Sequence, residues 1–437
     1  MRENAIVRSA SKGTLMKWII AAGFILFIFV ALSPALASQS LEIHNLSIYG
    51  NANMDEDLNE ADISYVQDII DGNKPSTKLA DANFDGKIDS LDIDQIKSIL
   101  NGNNTQITIC DAQNRNVTLN VPVQQIVGVN VGAIEIMRAI GVDIEKAVPI
   151  ASSYATANKL YFPELQGKMS NTYGSPDYEQ IAQTKPDLVI LYESPKKDES
   201  FDKFDAIKVP VICLDCFDHR TLESDIKILG ELFHKRENAE QLVQWYNKNI
   251  ELVTERTAGL KDSEKPRALI LGYPDYTYPT FKVRTGSSGD DPMLVNAGGI
   301  NLAENVESSK GTEEVDAEWI VSQDPDVIIG MILSGEGKTG YSSNDTTIEW
   351  MRQFRDKLLN DSAIRATKAG KEGRVFLMWG DFNSGPHHAA GTAFLAKYLH
   401  PDLFKDLKPE SILKEYFEQW QKVPYRGCYI YPPLNED

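Results

Sequence analysis

Two twelve-residue stretches of the chain carry oxygen-bearing side chains at a spacing that suits a hard cation. The second begins 30 residues after the first, and the two align without a gap from residue 51 to residue 103. Side-chain oxygens fall at positions 1, 3, 5, 9 and 12, and position 7 offers its backbone carbonyl. Such a loop wraps a calcium ion, which takes roughly six to eight oxygen ligands. The candidate calcium ligands are Asn51, Asn53, Asp55, Asp57, Asn59 and Asp62 in the first loop and Asp81, Asn83, Asp85, Lys87, Asp89 and Asp92 in the second.

The two loops differ at positions that affect affinity. The first begins with Asn51 where the second has Asp81, which removes one anionic ligand. At position 6, where the loop turns sharply, the second loop has Gly86 and the first has Glu56, so we expect backbone strain at Glu56. We therefore predict two calcium ions, with the first loop binding the weaker one. The alternative is a pair of solvated acidic turns, but the gapless repetition of every ligand position favours calcium.

Apolar residues at helical spacing predict a helix after each loop, over residues 63–70 and 93–100. A loop followed by a helix, repeated with Asp at position 12 and Gly-Asn after each helix, resembles a dockerin module of type I over residues 51–104. The resemblance implies calcium-dependent binding to a cohesin module on a scaffold or cell-surface protein. In that family positions 10 and 11 help to select the cohesin, and here they are Glu60-Ala61 and Ser90-Leu91.

The first 37 residues are typical of an export signal. A basic stretch ending at Lys17 precedes an apolar run, and the small-residue pattern Ala35-Leu36-Ala37 follows it. We predict cleavage after Ala37, an exported mature chain and a linker over residues 38–50. The alternative is a retained N-terminal membrane anchor, because the run approaches the length that spans a bilayer. In either case we expect an exported protein that is extracellular or held at the cell surface.

The charge balance argues against a general nucleic-acid binder. The chain holds 63 acidic and 44 basic residues, for a net charge of −19, and an anionic duplex would repel it. Residues 51–104 alone hold 12 acidic and 4 basic residues. The acidity is therefore concentrated in the predicted calcium loops.

The region from residue 105 to 437 alternates strand and helix patterns, which predicts an α/β fold. A hairpin over residues 107–120 comes first. We predict two doubly wound lobes, 105–220 and 266–437, joined by one long helix within 221–265. Together with the small all-α calcium-binding module, these lobes define the expected architecture.

Ligands of doubly wound sheets bind beyond the carboxyl ends of the strands, so the residues that follow strands are candidates for a binding cleft. Their aromatic and cationic side chains suit a large planar or chelated ligand. Ordinary surface or core roles are the alternative for each of them. The candidates are Tyr154, Tyr173, Tyr192, Tyr273, Tyr276, Arg284, Trp379, His387 and His388.

An internal match links the two predicted lobes. The pattern Glu-x-Ile-x4-Pro-Asp occurs at Glu179 and again at Glu318, each at the start of a helix that leads into a buried strand. With the leading hairpin and the linking helix, this arrangement resembles the substrate-binding proteins of ABC importers for ferric siderophores, haem and cobalamin. The resemblance covers residues 105–420. It implies a metal-complex cargo between the lobes, no catalytic residues, and docking of Glu179 and Glu318 onto basic pockets of an ABC permease.

Two other functions stay open at this point. Dockerins are often fused to polysaccharide-degrading enzymes, although residues 105–437 contain no recognisable hydrolase signature. A surface adaptor without cargo is the third candidate. The four cysteines, Cys110, Cys213, Cys216 and Cys428, allow disulfides in an exported chain, and the sequence does not choose a pairing.

Overall fold

The computed structural model of the protein describes residues 46–171, 174–195, 200–272, 280–332 and 339–434. The predicted signal segment and most of the linker lie outside these residues. Ile43–Asp437 form one compact unit, so the predicted calcium module and the two lobes belong to the same body. In the described ranges, no helix is both long and apolar enough to cross a membrane.

Each candidate calcium loop is followed by a helix, as its apolar spacing predicted. Helix α1 spans Glu60–Ile70 and helix α2 spans Ser90–Leu100. Asn59 and Asp89 cap these helices through capping boxes, in which an N-cap side chain and an acid three residues later satisfy exposed backbone N–H groups. The loops therefore have defined ends, fixed by their own ninth and twelfth residues.

A hairpin and a parallel sheet form the first lobe. Strands β1 (Thr105–Cys110) and β2 (Asn116–Val121) pair antiparallel, which confirms the predicted hairpin. The five strands of the sheet run parallel in the order β5-β4-β3-β6-β7. They are β3 Ile126–Gly128, β4 Ile150–Ser152, β5 Met169–Asn171, β6 Leu188–Tyr192 and β7 Val211–Leu214. The helices around them are α3 Val131–Ala139, α4 Ile144–Ala147, α5 Ser153–Ala157, α6 Tyr178–Thr184 and α7 Phe201–Ala206.

The connection between the lobes differs from the prediction. Instead of one long helix, α8 (Leu222–Leu232) and α9 (Arg236–Thr257) meet at a break where His234 adopts a left-handed backbone with φ of 50°. At this break the helices approach closely, since a Cβ added to Gly230 would lie 2.6 Å from Ala239. Helical periodicity continues through the break, which explains why the pattern alone predicted a single helix.

The second lobe is a mixed sheet. Strands follow the order β11-β9-β8-β12-β13-β14, with β10 also paired to β8, and β8, β12 and β13 run parallel at its centre. The strands are β8 Arg267–Gly272, β9 Thr280–Arg284, β10 Ile300–Asn301, β11 Thr312–Asp316, β12 Val327–Ile332, β13 Val375–Trp379 and β14 Ile430–Tyr431. The helices are α10 Asp290–Asn296, α11 Ala317–Gln323, α12 Asp345–Asn360, α13 Ser362–Ala366, α14 Lys368–Glu372, α15 His388–Leu399 and α16 Pro409–Glu415, the last continued by the π-helical turn Tyr416–Trp420.

A buried polar network joins the two lobes. Glu135 on α3 of the first lobe accepts hydrogen bonds from the hydroxyls of Tyr161 and Tyr416, and Tyr416 belongs to the second lobe. Its Oε1 also lies 3.5 Å from Nδ1 of His387. Gln421 donates to the Glu135 backbone carbonyl at 3.1 Å. The carboxylate is thus surrounded by donors from both lobes.

These contacts shift the titration of both ionisable partners. Burial alone would raise the pKa of Glu135, but the contacts with His387, Tyr161 and Tyr416 hold it below its usual value. Burial alone would lower the pKa of His387, but the Glu135 carboxylate raises it. The network therefore favours a carboxylate facing an imidazolium.

We predict that the coupling between Glu135 and His387 depends on pH. The imidazolium contribution is complete below the unfolded histidine pKa of about 6.5 and is lost as pH rises through the raised folded pKa. The carboxylate contribution is present above about pH 4.3 and is lost as pH falls through the lowered folded pKa. Urea unfolding of the Glu135→Gln and His387→Gln variants and of the double variant measures the coupling free energy between the two side chains. We expect a coupling free energy of about 2 kcal/mol at pH 6 and under about 1 kcal/mol at pH 9.

The exposed pair Glu349 and Arg352 provides the control for this cycle, because both groups stay ionised between these pH values. A Glu135–His387 coupling energy that is the same at pH 6 and pH 9 would contradict the assignment.

Candidate functional site

The two lobes face each other at the carboxyl ends of their parallel strands. Strand β7 of the first lobe leads into residues 215–220, and strand β13 of the second lobe leads into residues 380–388. The segments touch directly, since the Gly385 amide donates to the Phe217 carbonyl at 2.9 Å. This edge is where sheets of this kind bind ligands, and we call these two segments the cleft lips.

His388 is the first residue of helix α15. Its Nδ1 lies 3.2 Å from the Tyr246 hydroxyl, and its ring stacks on that of His219 from the opposite lip, with centroids 5.6 Å apart. Burial lowers the pKa of His388 to about 3, so the imidazole is neutral at physiological pH. Its Nε2 is buried and has no hydrogen-bond partner within the described part of the chain.

His387 and Trp379, both predicted as cargo ligands, are buried. The ring of His387 stacks on Trp379 with centroids 4.8 Å apart, and its Nε2 lies 2.8 Å from the Asp381 carbonyl. Its other nitrogen faces Glu135. Among the described residues Nδ1 has no hydrogen bond, so its contact with the first lobe is the ion-pair distance of 3.5 Å to the Glu135 carboxylate.

The lip of the first lobe carries charged groups that the sequence analysis did not single out. Asp218 accepts from Arg220 Nε at 2.9 Å and lies 3.3 Å from His219 Nδ1. Burial would raise the pKa of Asp218, but these donors hold it well below its usual range. Burial, assisted by the charges of Glu193 and Asp218, raises the pKa of Asp215 to about 6. These residues directly follow a buried strand, so the strand-end rule applied to β7 would have found them.

The other candidate ligands are distributed over the two lobes. Tyr192 stacks on Phe217 of the first lip, with centroids 5.7 Å apart. Tyr154 lies on α5 and is 48% exposed. Arg284 at the end of β9 is buried, and its Nε lies 3.0 Å from Asp290. The predicted ligands Tyr173, Tyr273 and Tyr276 lie outside the described residues.

The two candidate calcium loops have matching hydrogen bonds. The carboxylate at position 12 accepts from the backbone amides of positions 3 and 9, at 3.2 and 2.8 Å for Asp62 and at 3.1 and 2.8 Å for Asp92. The amide of position 5 donates to the side chain at position 3, Asn53 or Asn83, at 3.0 and 2.9 Å. Both twelfth-position carboxylates are buried. The loops are therefore closed on themselves in the same way, despite their sequence differences.

The two loops differ in the hydrogen bonds of the residue at position 1. Asp81 accepts from the amides of Asp85 and Gly86, at 3.0 and 2.8 Å. Asn51 instead donates through Nδ2 to the carbonyls of Leu46 and Asp55, and its buried Oδ1 has no hydrogen-bond partner among the described residues. An unsatisfied buried oxygen at a ligand position fits a cation that would pair with it.

The strain predicted at Glu56 is not present. Gly86 has a left-handed φ of 88°, whereas Glu56 is not among the residues with positive φ. The first loop therefore follows a different path at position 6, one that a residue with a side chain adopts without the left-handed conformation.

The ranges described, the two loops included, contain no group of three or more His, Cys, Asp or Glu side chains placed to hold a metal ion. A cation in either loop would therefore also need the amide and backbone oxygens at positions 1, 3, 7 and 9. The four cysteines form no disulfide in the structure, and Cys213 and Cys216 are buried. Burial raises the pKa of the Cys216 thiol well above its usual value, which makes it a poor nucleophile.

Glu179 and Glu318 occupy equivalent places in the two lobes. Each lies exposed in the first turn of a short helix, α6 or α11, that is capped by the side chain of the preceding Asp, Asp177 or Asp316. Both helices end at a left-handed residue and lead into a central strand. The internal match in the sequence thus corresponds to a repeated structural unit.

The chain is similar to known proteins over most of this region. The sequence profile of a family described as periplasmic binding protein matches residues 126–381. The molybdate-binding protein MolA of Haemophilus influenzae is 23% identical over 291 residues, which are 60% of this chain and 75% of that protein.

Solved structures share the fold. The TroA-like periplasmic binding protein FepB from Veillonella parvula gives a TM-score of 0.62 at 20% identity, covering 74% of this chain and 98% of that one. The structure of MolA bound to molybdate, from Haemophilus influenzae, gives a TM-score of 0.58 at 20% identity, covering 73% of this chain and 99% of that one. These relatives are binding proteins and not enzymes. The family profile matches more than half of the length of this chain. The chain therefore belongs to the periplasmic binding protein family and is an exported solute-binding protein of an ABC transporter.

Proposed function

We propose that this solute-binding protein captures a metal-centred solute between the cleft lips, with an iron–siderophore complex, haem or a corrinoid as the expected cargo. The observation that carries the proposal is the meeting of the two sets of strand ends around stacked aromatic and imidazole rings. The fold relatives include a periplasmic haem-binding protein, RhuT from Roseiflexus, at a TM-score of 0.50 and 21% identity. Rings of this kind suit a planar or chelated metal complex.

A compact oxyanion is the second candidate cargo, and the spacing of the lips favours it. The lobes contact each other at the lips, and Ser342 Oγ also donates to Asn158 Oδ1 at 2.9 Å across the cleft. A haem or corrinoid would require these contacts to open. If Nδ1 of His388 accepts from Tyr246, its buried Nε2 carries a proton and can donate to an anion such as molybdate, the ligand named for MolA.

Variants of His388 and Tyr192 should separate the two cargo classes. For an oxyanion, His388→Ala should weaken binding about 10-fold or more, because a hydrogen bond to a charged group is lost. For a planar metal complex, Tyr192→Ala should have the larger effect. Tryptophan quenching on titration with ferric siderophores, haem, cobalamin and molybdate measures both.

His400→Ala, at the opposite end of helix α15, is the matched control and should leave affinity unchanged. Failure of every member of the panel to bind would contradict the cargo proposal. Release of sugars from plant or cell-wall polymers by the purified protein would instead support the polysaccharide-degrading alternative.

Glu179 and Glu318 are proposed to dock onto the ABC permease, one per lobe. Both are exposed acids at capped helix starts, one in each half of a repeated unit. Because the two glutamates occupy equivalent places, each basic pocket of such a permease would contact one lobe.

Charge reversal should separate cargo binding from delivery. Glu179→Arg with Glu318→Arg should reduce uptake by the cognate permease in vesicles about 10-fold or more and change cargo affinity less than about 2-fold. Glu237→Arg provides the control, because Glu237 is also an exposed first-turn glutamate, on α9. Undiminished uptake by the double variant would exclude this role.

Residues 51–104 are proposed to bind two calcium ions and to attach the protein to a cohesin partner as a dockerin-like module. Matching loop geometry supports the calcium sites, and the unsatisfied Asn51 Oδ1 supports a cation in the first. Exposed apolar side chains offer a partner surface, with Leu91 55% and Phe84 43% exposed.

Removing two carboxylates should abolish the stronger site. In calorimetric titrations, Asp81→Ala with Asp92→Ala should eliminate the tighter calcium-binding event and leave the weaker one. Asp94→Ala removes an exposed acid of α2 and should preserve both. Unchanged binding in the double variant, or no EGTA-reversible binding by the unmodified protein, would refute the calcium sites.

A further inference from the structure

The candidate calcium module is built into the solute-binding domain. The backbone of residues 47–49 continues the hairpin sheet, where the Cys110 amide donates to Ser47 and the Tyr49 amide to Thr108, each at 2.9 Å. Ile48 pairs with Ile109 in the same edge. Buried apolar side chains of the module and of the first lobe belong to one core. Such a shared core makes the module and the domain a single packed body.

The first calcium loop also contacts the helices that connect the lobes. Lys227 of α8 donates to the Glu56 carbonyl at 2.9 Å and to the Asp57 carboxylate at 2.8 Å. Arg236, the first residue of α9, donates to the Leu58 carbonyl at 2.7 Å. Positions 6, 7 and 8 of the loop are therefore held by two cations from the interlobe connection.

The contact between Lys227 and Asp57 leaves the backbone carbonyl of position 7 available to a calcium ion. In loops of this type the position-7 backbone carbonyl binds the ion, and Lys227 engages the Asp57 side chain instead. The Lys227 side chain is 13% exposed and its partner Asp57 is 60% exposed, so water screens the ion pair at the Asp57 side. Ion binding and the two cationic contacts can therefore coexist and support the same loop conformation.

The second loop provides an internal contrast. Its positions 6 and 7, Gly86 and Lys87, are exposed. A calcium ion in either loop would stabilise the packed body as a whole. Only an ion in the first loop would lie in a segment that Lys227 and Arg236 contact.

The same helices reach the cleft. The Cys216 amide, at the start of the first cleft lip, donates to Asp225 of α8 at 2.8 Å, two residues before Lys227. A cavity of about 320 Å³ lies beside the loop, lined by residues that include Asn59, Glu231 and Arg236.

We propose that the first calcium loop is a calcium-dependent clamp on the interlobe connection: an ion bound there stabilises α8, α9 and the solute-binding domain through Lys227 and Arg236. This inference rests on the proposed calcium binding and assigns a consequence to it. The module thereby links solute-binding competence to the high calcium concentration outside a cell.

Tryptophan fluorescence reports the unfolding of the solute-binding domain. Residues 51–104 contain no tryptophan, whereas Trp245, Trp319, Trp350, Trp379 and Trp420 all belong to the solute-binding domain. Calcium at about 100 times its Kd should raise the tryptophan-detected Tm by about 3–5 °C, reversibly with EGTA. In Lys227→Ala with Arg236→Ala, the weaker calcium-binding event should lose about 5-fold or more in affinity, because both contacts support the loop that binds the ion. The rise in Tm at the same calcium concentration should shrink accordingly. Lys97→Ala, which removes an exposed cation of α2, should keep the full rise.

Hydrogen exchange of the unmodified protein tests the clamp without any variant. Amides of α8 and α9 should exchange about 5-fold or more slowly with calcium, and those of α12 in the second lobe should not change. An unchanged affinity of the weaker calcium-binding event in the double variant, or unaltered exchange in α8 and α9 of the unmodified protein, would overturn the clamp alone. Absence of calcium binding would overturn the proposed calcium sites and the clamp with them.

Discussion

The carboxylate of Glu135 is buried between the two lobes, and the relative placement of the cleft lips depends on it. A buried charge costs several kcal/mol unless donors surround it. Here the donors are Tyr161 from the first lobe, and Tyr416 and His387 from the second. Separating the lobes would remove two of these partners, so the network opposes large opening. This constraint is consistent with a binding protein whose lobes move little.

The same network explains why His387 and His388, although adjacent, have different environments. His387 faces Glu135, which raises its pKa, and His388 faces Tyr246 and His219 in a buried setting that lowers its pKa to about 3. Glu135 therefore favours the charged form of His387 at the contact between the lobes, and the neighbouring His388 presents a neutral ring at the cleft. Helix α15 positions both because it begins at this junction.

Much of this organisation follows from the sequence. The spacing of Asp and Asn predicts both loops, alternation predicts the hairpin, and the repeated Glu-x-Ile-x4-Pro-Asp pattern predicts two equivalent helices around Glu179 and Glu318. These features are local, and local patterns are what periodicity and turn chemistry encode. The acidic charge of residues 51–104 is also explained locally, by closed loops that direct carboxylates toward backbone amides.

Other features depend on contacts between distant residues and could not be predicted. Glu135 and Tyr416 are 281 positions apart, and Lys227 lies 170 positions from Asp57. The break between α8 and α9 is hidden by continuous helical spacing, and the structure shows it through the left-handed His234 and the close approach of Gly230 to Ala239. The first loop thus has the sequence of an independent calcium site but is packed against the interlobe helices.

Elemental analysis of the protein purified from its native source, by inductively coupled plasma mass spectrometry, tests the central claim that one exported chain carries structural calcium and a metal-centred cargo. The account predicts close to two calcium ions per chain and close to one atom of iron, cobalt or molybdenum. Calcium and these heavier metals at trace level only, in protein that remains folded, would contradict it.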